Sequence, residues 1–357
     1  MEYGMKSRSI AKAKYLILRP AGYPMKSSYH EYPEISEYRV FEFYAKEQWQ
    51  GLKVKKGDYL FDSRMFPDFA FLVVDVEPPN SEISSTTRII VDVREEQVIL
   101  PKTKSIRMND IVGQERAKQQ CRIIKKYLED PKKFGEWAPK NILFYGPPGT
   151  GKTLMAKALA FESNSPIMLI KGTTLIGEHV GEGAQRIHSL YEKAKSLAPC
   201  IVFIDEIDAI AIDRRYQDLR GDVSEIVNAL LTEMDGIDER EGVCTIGSTN
   251  RIEFLDEAVR SRFEEEVEFT LPNEKERAEI LRLYLKRSPV KISEDVDIMK
   301  IAKMMDGFSG RDLVEKVLKK AIHEAIIQDS ELKMEHLLNA ANKLPKKVKD
   351  APKHMFV

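Results

Sequence analysis

The stretch Asn141–Leu154, NILFYGPPGTGKTL, decides how the rest of the chain is read. Its first residues are apolar or aromatic after Asn141, the pattern of a buried strand. Gly146, Pro147, Pro148, Gly149, Thr150 and Gly151 then break that strand with a glycine-rich loop, and Lys152, Thr153 and Leu154 open a helix. Strand, glycine loop and helix in this order make a phosphate cradle. Glycines let backbone N–H groups turn inward around a β-phosphate, and the helix N-terminus adds partial positive charge. Lys152 is placed to reach the β- and γ-phosphates, and the Thr153 hydroxyl to ligate Mg²⁺.

Working outward, the apolar run Ile201-Val-Phe-Ile leads into Asp205 and Glu206. The carboxyl ends of strands are where ligands of open α/β sheets gather. There Asp205 suits a Mg²⁺ ion, through water, and Glu206 suits the polarising of an attacking water. Without the glycine loop the two acids would read as caps of the next helix. A third run, Val243–Ser248, leads into Thr249 and Asn250. The Asn250 amide can orient the same water, the other reading being a turn-forming asparagine. Arg260 and Arg262 stand near the end of a short helix. They read either as solvated helix-end charges or as arginines offered to a neighbouring subunit's γ-phosphate.

Around these motifs, strands at Asn141–Tyr145, Pro166–Lys171, Ile201–Asp205, Val243–Ser248 and Glu266–Leu271 alternate with amphipathic helices such as Thr153–Glu162 and Gly183–Ser196. That alternation predicts an α/β unit over residues 109–272, with a parallel sheet covered on both faces. After Pro272 the spacing is helical at Lys275–Arg287, Val296–Met305, Gly310–Gln328 and Lys333–Lys343, giving a helical unit over 273–343. A lysine-rich tail, 344–357, follows. The beginning of the chain differs. Arg39–Tyr44, Tyr59–Phe61, Phe69–Val76 and Arg88–Val93 are short, β-branched or aromatic, and separated by turn signals. They predict a small β-rich, barrel-like domain over 1–100, joined by a polar linker, 101–108.

Composition limits the classes. The 357 residues, 43% of them hydrophobic, are enough for more than one core. No apolar run approaches the roughly 18 residues needed to cross a bilayer, and the start of the chain is not a signal peptide. Fifty-six basic against 57 acidic residues leave a net charge of −1, so no global field draws the chain to nucleic acid. Three widely spaced cysteines argue against a zinc site or a disulfide framework. A cytoplasmic protein with neither a membrane nor a nucleic-acid partner is expected.

The ordered motifs carry a resemblance. Residues 109–342 resemble the AAA module of the AAA ATPases, members of the AAA+ superfamily that include proteasomal ATPases and katanin-like remodellers. Asp110, Val112 and Gly113 stand in a segment similar to the one that packs on adenine in that family. Gly146–Thr153 resembles its phosphate loop, and Ile201–Asp208 its acidic strand. Asn250 matches sensor 1, Thr249–Phe263 the second region of homology, and Gly307–Leu313 the lid helix. The resemblance implies a hydrolase that uses ATP and Mg²⁺, forms a homo-hexamer and threads polypeptide through a central pore. It implies arginine fingers at Arg260 and Arg262. His179, Val180 and Gly181 fall at the first pore loop, with an imidazole where many relatives have an aromatic ring. In a pore that imidazole implies a grip on substrate that is weaker or pH-dependent, the other reading being an ordinary loop histidine. Met234-Asp-Gly-Ile237 replaces the usual Asp-Gly-Phe, and Tyr284 stands where a relative often has histidine. Arg311, after Gly310, replaces a small residue; more distant AAA+ proteins place a γ-phosphate-sensing arginine there, so it reads either as a sensor 2-like group or as an exposed lid arginine.

The terminal Met355, Phe356 and Val357 resemble the hydrophobic-tyrosine-X tail that docks proteasomal ATPases into the 20S proteasome, with Phe for Tyr; a frayed end is the alternative. One N-terminal domain, one AAA module and such a tail resemble the archaeal AMA group. The resemblance implies unfolded or tagged proteins as substrates. Tyr29, Tyr32, Phe41, Phe43, Tyr44, Trp49 and Phe66 are either a substrate surface or core of the first domain. Two rival functions remain at this point: a remodeller without protease delivery, and an ATP-independent holdase-like binding module.

Overall fold

The computed structural model describes residues 11–22, 38–64, 69–91, 97–99, 107–176, 181–211, 221–236 and 241–345. Its N-terminal unit contains β1 (Tyr15–Gly22), α1 (Tyr38–Trp49), β2 (Lys53–Val54), β3 (Tyr59–Phe61), β4 (Ala70–Glu77), β5 (Ser81–Glu82) and β6 (Arg88–Val91). Four of the strands form a sheet in the order β3-β4-β1-β6, and β2 pairs with β5. Arg39–Tyr44 is a correction: the segment expected as a strand lies in α1. Phe41, Ala45 and Trp49 share one helical face. Ala45 and Trp49 are buried on the sheet, and the Phe41 and Trp49 rings lie 5.3 and 5.6 Å from that of Phe71. Val40 and Phe43, part of the β-branched and aromatic content that reads as a strand, point outward at 60% and 68% exposure. The fold is anchored further by the Trp49 indole donating to the Phe61 carbonyl at 3.1 Å and the Tyr44 hydroxyl donating to Asp62 at 2.7 Å.

The central unit holds β7 (Gln97–Ile99), α2 (Glu115–Glu129), β8 (Asn141–Tyr145), α3 (Lys152–Glu162), β9 (Ile167–Lys171), α4 (Glu182–Leu197), β10 (Cys200–Asp205), α5 (Gly221–Asp235), β11 (Val243–Thr249), α6 (Glu257–Arg260) and β12 (Glu265–Glu268). The sheet order is β12-β8-β11-β10-β9-β7. Strands β8 to β12 run parallel to their neighbours, whereas β7 adds antiparallel at the β9 edge. Residues 97–99 therefore pair with the central sheet and not with the N-terminal one. Met108, at the end of the expected linker, is buried and opens a 3-10 turn. Apolar strands fill both faces. One core packs Ile124, Phe144, Leu159 and Phe203 beside α2 and α3, and the other packs Leu190, Val202, Ile204 and Leu230 beside α4 and α5. Because β8 borders β11, and β11 borders β10, the carboxyl ends of these three strands open on one rim.

The N-terminal unit is fixed to this body. Ile17 and Ile90 join the core beside α4. The Arg88 guanidinium donates to the carbonyls of Ser196, Leu197 and Ala198, the orphan acceptors at the end of α4.

Helices follow: α7 (Glu274–Leu285), α8 (Ile298–Met304), α9 (Gly310–Asp312), a π-helical turn (Leu313–Leu318), α10 (Lys319–Ile327) and α11 (Met334–Asn342). The expected helix over Gly310–Gln328 is thus interrupted by a wider turn. Arg277, only 4% exposed, ties the first helix of this lid to the second: it donates to Ala302 and Pro272 carbonyls at 2.7 and 2.8 Å and pairs with Asp306 at 3.2 Å. Among the described residues no helix is long and apolar enough to cross a membrane.

Candidate active site

The glycine loop is folded by three positive-φ glycines. Gly146 leaves β8 at φ +133, so close to β12's continuation that a β-carbon there would lie 2.2 Å from the Phe269 carbonyl oxygen. Gly149, at φ +79, faces Ser309 and Arg311, and Gly151, at φ +104, is the N-cap of α3. Thr150 Oγ1 donates to the Pro147 carbonyl at 2.8 Å, closing the loop on itself. These conformations need glycine.

Lys152 points back into the loop. Its Nζ donates to the Gly146 and Pro147 carbonyls at 2.7 and 3.1 Å and to Asn250 Oδ1 at 2.9 Å. The residue is 6% exposed, and burial pushes its pKa down to about 8; Asp205 and Asp208 pull upward and Arg311 pushes further down. Thr153 Oγ1 donates to Asp205 Oδ2 at 3.1 Å, while Asp205 Oδ1 accepts the Glu206 N–H at 3.1 Å. The three strand ends therefore bring Lys152, Thr153, Asp205, Glu206 and Asn250 into one group. The Glu206 side of it is exposed, as a group that meets a water should be.

Two residues that the sequence reading passed over hold this group in place. Asp208 Oδ1 accepts from Thr249 Oγ1 at 2.8 Å, and Thr249 Oγ1 accepts the Arg251 N–H at 3.0 Å, which fixes the turn carrying Asn250. Gln114 Nε2 donates to the Thr270 carbonyl at 2.8 Å and its Oε1 accepts the Thr270 N–H at 3.3 Å, joining the segment before α2 to the hinge before the lid. Asp208's place in IVFIDEID was a signal that could have singled it out; Gln114 carried none.

The lid reaches the loop directly. The Arg311 N–H donates to the Gly149 carbonyl at 3.3 Å, and Gly310 packs beside the same carbonyl. In the segment before α2, Asp110 accepts the Arg107 N–H at 2.9 Å, Val112 is half-buried, and Gly113, at φ +69, sits against Glu276 of α7. Arg260 and Arg262 stand apart. Arg260 makes a two-pronged pair with Glu266, which raises its own pKa and lowers that of the carboxylate. Arg262 pairs with Asp235 at 2.5 Å. Both side chains are exposed. Gly181, at φ +84, begins α4, whereas His179 and Val180 lie outside the described residues, as do Tyr29, Tyr32, Phe66, Met355, Phe356 and Val357. Tyr284 is exposed on α7.

Comparison with known proteins gives this geometry a family. Residues 142–271 match the model of the ATPase family associated with various cellular activities, AAA. The chain is 51% identical over 348 residues to a Methanothermobacter thermautotrophicus protein, covering 97% of this chain and 92% of that protein. The chain belongs to the AAA ATPase family. It hydrolyses ATP. Residues 13–89 of this AAA ATPase match the PRS2 N-terminal domain and residues 274–349 the PRS2 AAA+ lid C-terminal domain. The Methanothermobacter relative is named a 26S proteasome regulatory subunit homolog. So is a Methanocaldococcus jannaschii protein, 49% identical over 351 residues, 98% of this chain and 94% of that one. An ATP-dependent zinc metalloprotease FtsH 2 from Methylacidiphilum infernorum is 42% identical over 229 residues, 62% of this chain and 35% of that protein. The AAA ATPase is thus related along its whole length to proteins named for proteasome regulation, and along part of it to a protease.

Proposed function

We propose that this AAA ATPase is a Mg²⁺-dependent protein unfoldase that works as a homo-hexameric ring in the cytoplasm and passes unfolded polypeptide to a 20S proteasome. The observation that carries the reading is a hydrolysis group built from one chain beside two arginines turned elsewhere. Lys152 lies 2.9 Å from Asn250 and Thr153 lies 3.1 Å from Asp205, while Arg260 and Arg262 sit exposed on α6 and just after it. Exposed arginines that do not serve their own phosphate loop suit the site of a second copy.

Within the site, Lys152 and the loop N–H groups bind and orient the phosphates, and Asp110, Val112 and Gly113 face the base. Glu206 takes the proton of the attacking water as Asn250 holds that water in line. The neighbour's Arg260 and Arg262 stabilise charge on the transferred phosphoryl oxygens, and Arg311 senses the γ-phosphate from the lid. Thr153 and Asp205 offer one hydroxyl and one carboxylate, hard oxygen donors. No group of three or more His, Cys, Asp or Glu ligands exists among the described residues. Such a small set fits Mg²⁺, which keeps waters and phosphate oxygens as its other ligands. The ion would screen the β- and γ-oxygens. His179 and Val180 grip polypeptide, and Met355, Phe356 and Val357 dock the proteasome. Delivery is supported by the names of the two relatives matched along nearly their whole length and by the tail.

The test is a Glu206→Gln variant held with ATP. The expected outcome is a stable ring that retains polypeptide and associates with 20S particles, the association being lost when the last three residues are removed. Rings that hold neither protein nor protease refute the reading. Aggregation protection that persists without ATP would favour the holdase.

A further inference from the structure

Glu206 has an unusual backbone. It occupies the left-handed region, φ 54 and ψ 46, which a residue with a β-carbon keeps only when its surroundings hold it there. Three contacts do so. The Glu206 N–H donates to Asp205 Oδ1 at 3.1 Å. The Glu206 carbonyl accepts the Ala209 N–H at 2.9 Å. The same carbonyl lies against Gly172, so closely that a β-carbon there would stand 2.4 Å from its oxygen, with Ala209 Cβ at 3.5 Å. Gly172 is not in the left-handed region itself. Its glycine is therefore required by space and not by backbone angle.

Gly172 opens the 3-10 turn Gly172–Leu175 that leaves β9. The far end of that turn is clasped to α4. Arg186 Nη1 donates to the Thr174 carbonyl at 2.6 Å, and a β-carbon on Gly183 would lie 2.5 Å from the Leu175 carbonyl oxygen. One short turn thus touches the Glu206 peptide at its start and α4 at its end.

We propose that Gly172 is a positioning residue for Glu206: its bare α-carbon lets the end of β9 seat the left-handed Glu206 peptide, and so aims the carboxylate at the water. The inference rests on the reading of Glu206 as the group that takes the water's proton. Motion of the turn then reaches the hydrolysis site through a backbone-to-backbone contact, with no side chain to absorb it.

The experiment compares steady-state ATP hydrolysis by the full chain, Gly172→Ala and Glu206→Gln, with ADP affinity measured in parallel. An added methyl displaces the Glu206 peptide by the order of 1 Å, which predicts a kcat about 30- to 100-fold lower. KM and ADP affinity stay near the unaltered values, because the atoms nearest an added methyl belong to Glu206 and Ala209 and not to the phosphate loop. An unchanged kcat in Gly172→Ala, with Glu206→Gln inactive, overturns the proposal alone. Full activity in Glu206→Gln overturns the reading beneath it as well. A fall in kcat matched by an equal loss of ADP affinity overturns positioning in favour of general collapse of the site. Should Gly172→Ala not fold, Arg186→Ala decides. It unclasps the turn from α4 and is expected to lower kcat about 3- to 10-fold at constant KM; an unchanged kcat there overturns the proposal.

Discussion

The burial of Lys152 makes nucleotide affinity depend on pH in a way that can be worked out beforehand. The Lys152 residue is 6% exposed and its ammonium donates to carbonyl and amide oxygens. Burial sets its pKa to about 8, against an ordinary value of 10.5. Against phosphates the same group must be charged. Binding above pH 8 therefore takes up a proton, and apparent affinity follows the protonated fraction. That fraction is nearly complete at pH 7, about one-half at pH 8 and about one-tenth at pH 9. ADP affinity should thus fall about tenfold between pH 7 and 9, and by one logarithmic unit per pH unit beyond. Arg311→Ala removes a charge that pushes Lys152 down, so its curve should break at higher pH. The stability of the empty chain should move the other way. Between pH 8 and 10.5 the unfolded lysine binds more protons than the folded one, so this group's contribution to stability rises with pH. Anisotropy of a fluorescent ADP, titrated at fixed salt from pH 7 to 9.5, reads the affinity. A flat curve, or the same break in Lys152→Met, refutes the argument.

Other predictions follow from single contacts. Arg88→Ala leaves three carbonyls at the end of α4 without their donor, and should destabilise the chain by about 1–3 kcal/mol. Hydrogen exchange should accelerate in the last turn of α4, and unchanged exchange there would show that the guanidinium is dispensable. Gly146→Ala sets a β-carbon 2.2 Å from the Phe269 carbonyl at a φ of +133, and should cost more than about 2 kcal/mol along with nucleotide binding. Thermal melts and ADP titration check it, and a variant that keeps both would disprove the contact. Cys121 and Cys200 are fully buried; burial pushes both thiols up, Cys200 to about 12. Native protein at pH 8 should resist iodoacetamide, whereas urea-unfolded protein should react at every cysteine; mass spectrometry distinguishes the two.

The α/β half was legible because its chemistry needs particular atoms at strand ends. A phosphate loop needs Gly146, Gly149 and Gly151, and Asp205, Glu206 and Asn250 must follow apolar strands, so each motif dated its own element. Parts held by distant contacts were not legible. Phe41, Ala45 and Trp49 have helical spacing, yet Val40 and Phe43 interleave with them as in a strand; only the Phe71 ring on the sheet decides which pattern is the buried one. Strand β7 has too few residues to announce its partner, β9, which lies far along the chain at the edge of the central sheet. In the site itself, Lys152 and its partners were named by motif. Gly172 could not be, since what matters there is an absent side chain facing a carbonyl far along the chain.

The central claim is that hydrolysis happens where two copies meet. Mixing Glu206→Gln, which keeps its arginines but not its base, with an Arg260→Ala/Arg262→Ala double variant, which keeps the base but not the arginines, tests it directly. Mixed assemblies should hydrolyse ATP faster than either parent alone, because intact Glu206 then sits beside donated guanidinium groups. A mixture no more active than the average of its two components would contradict the account.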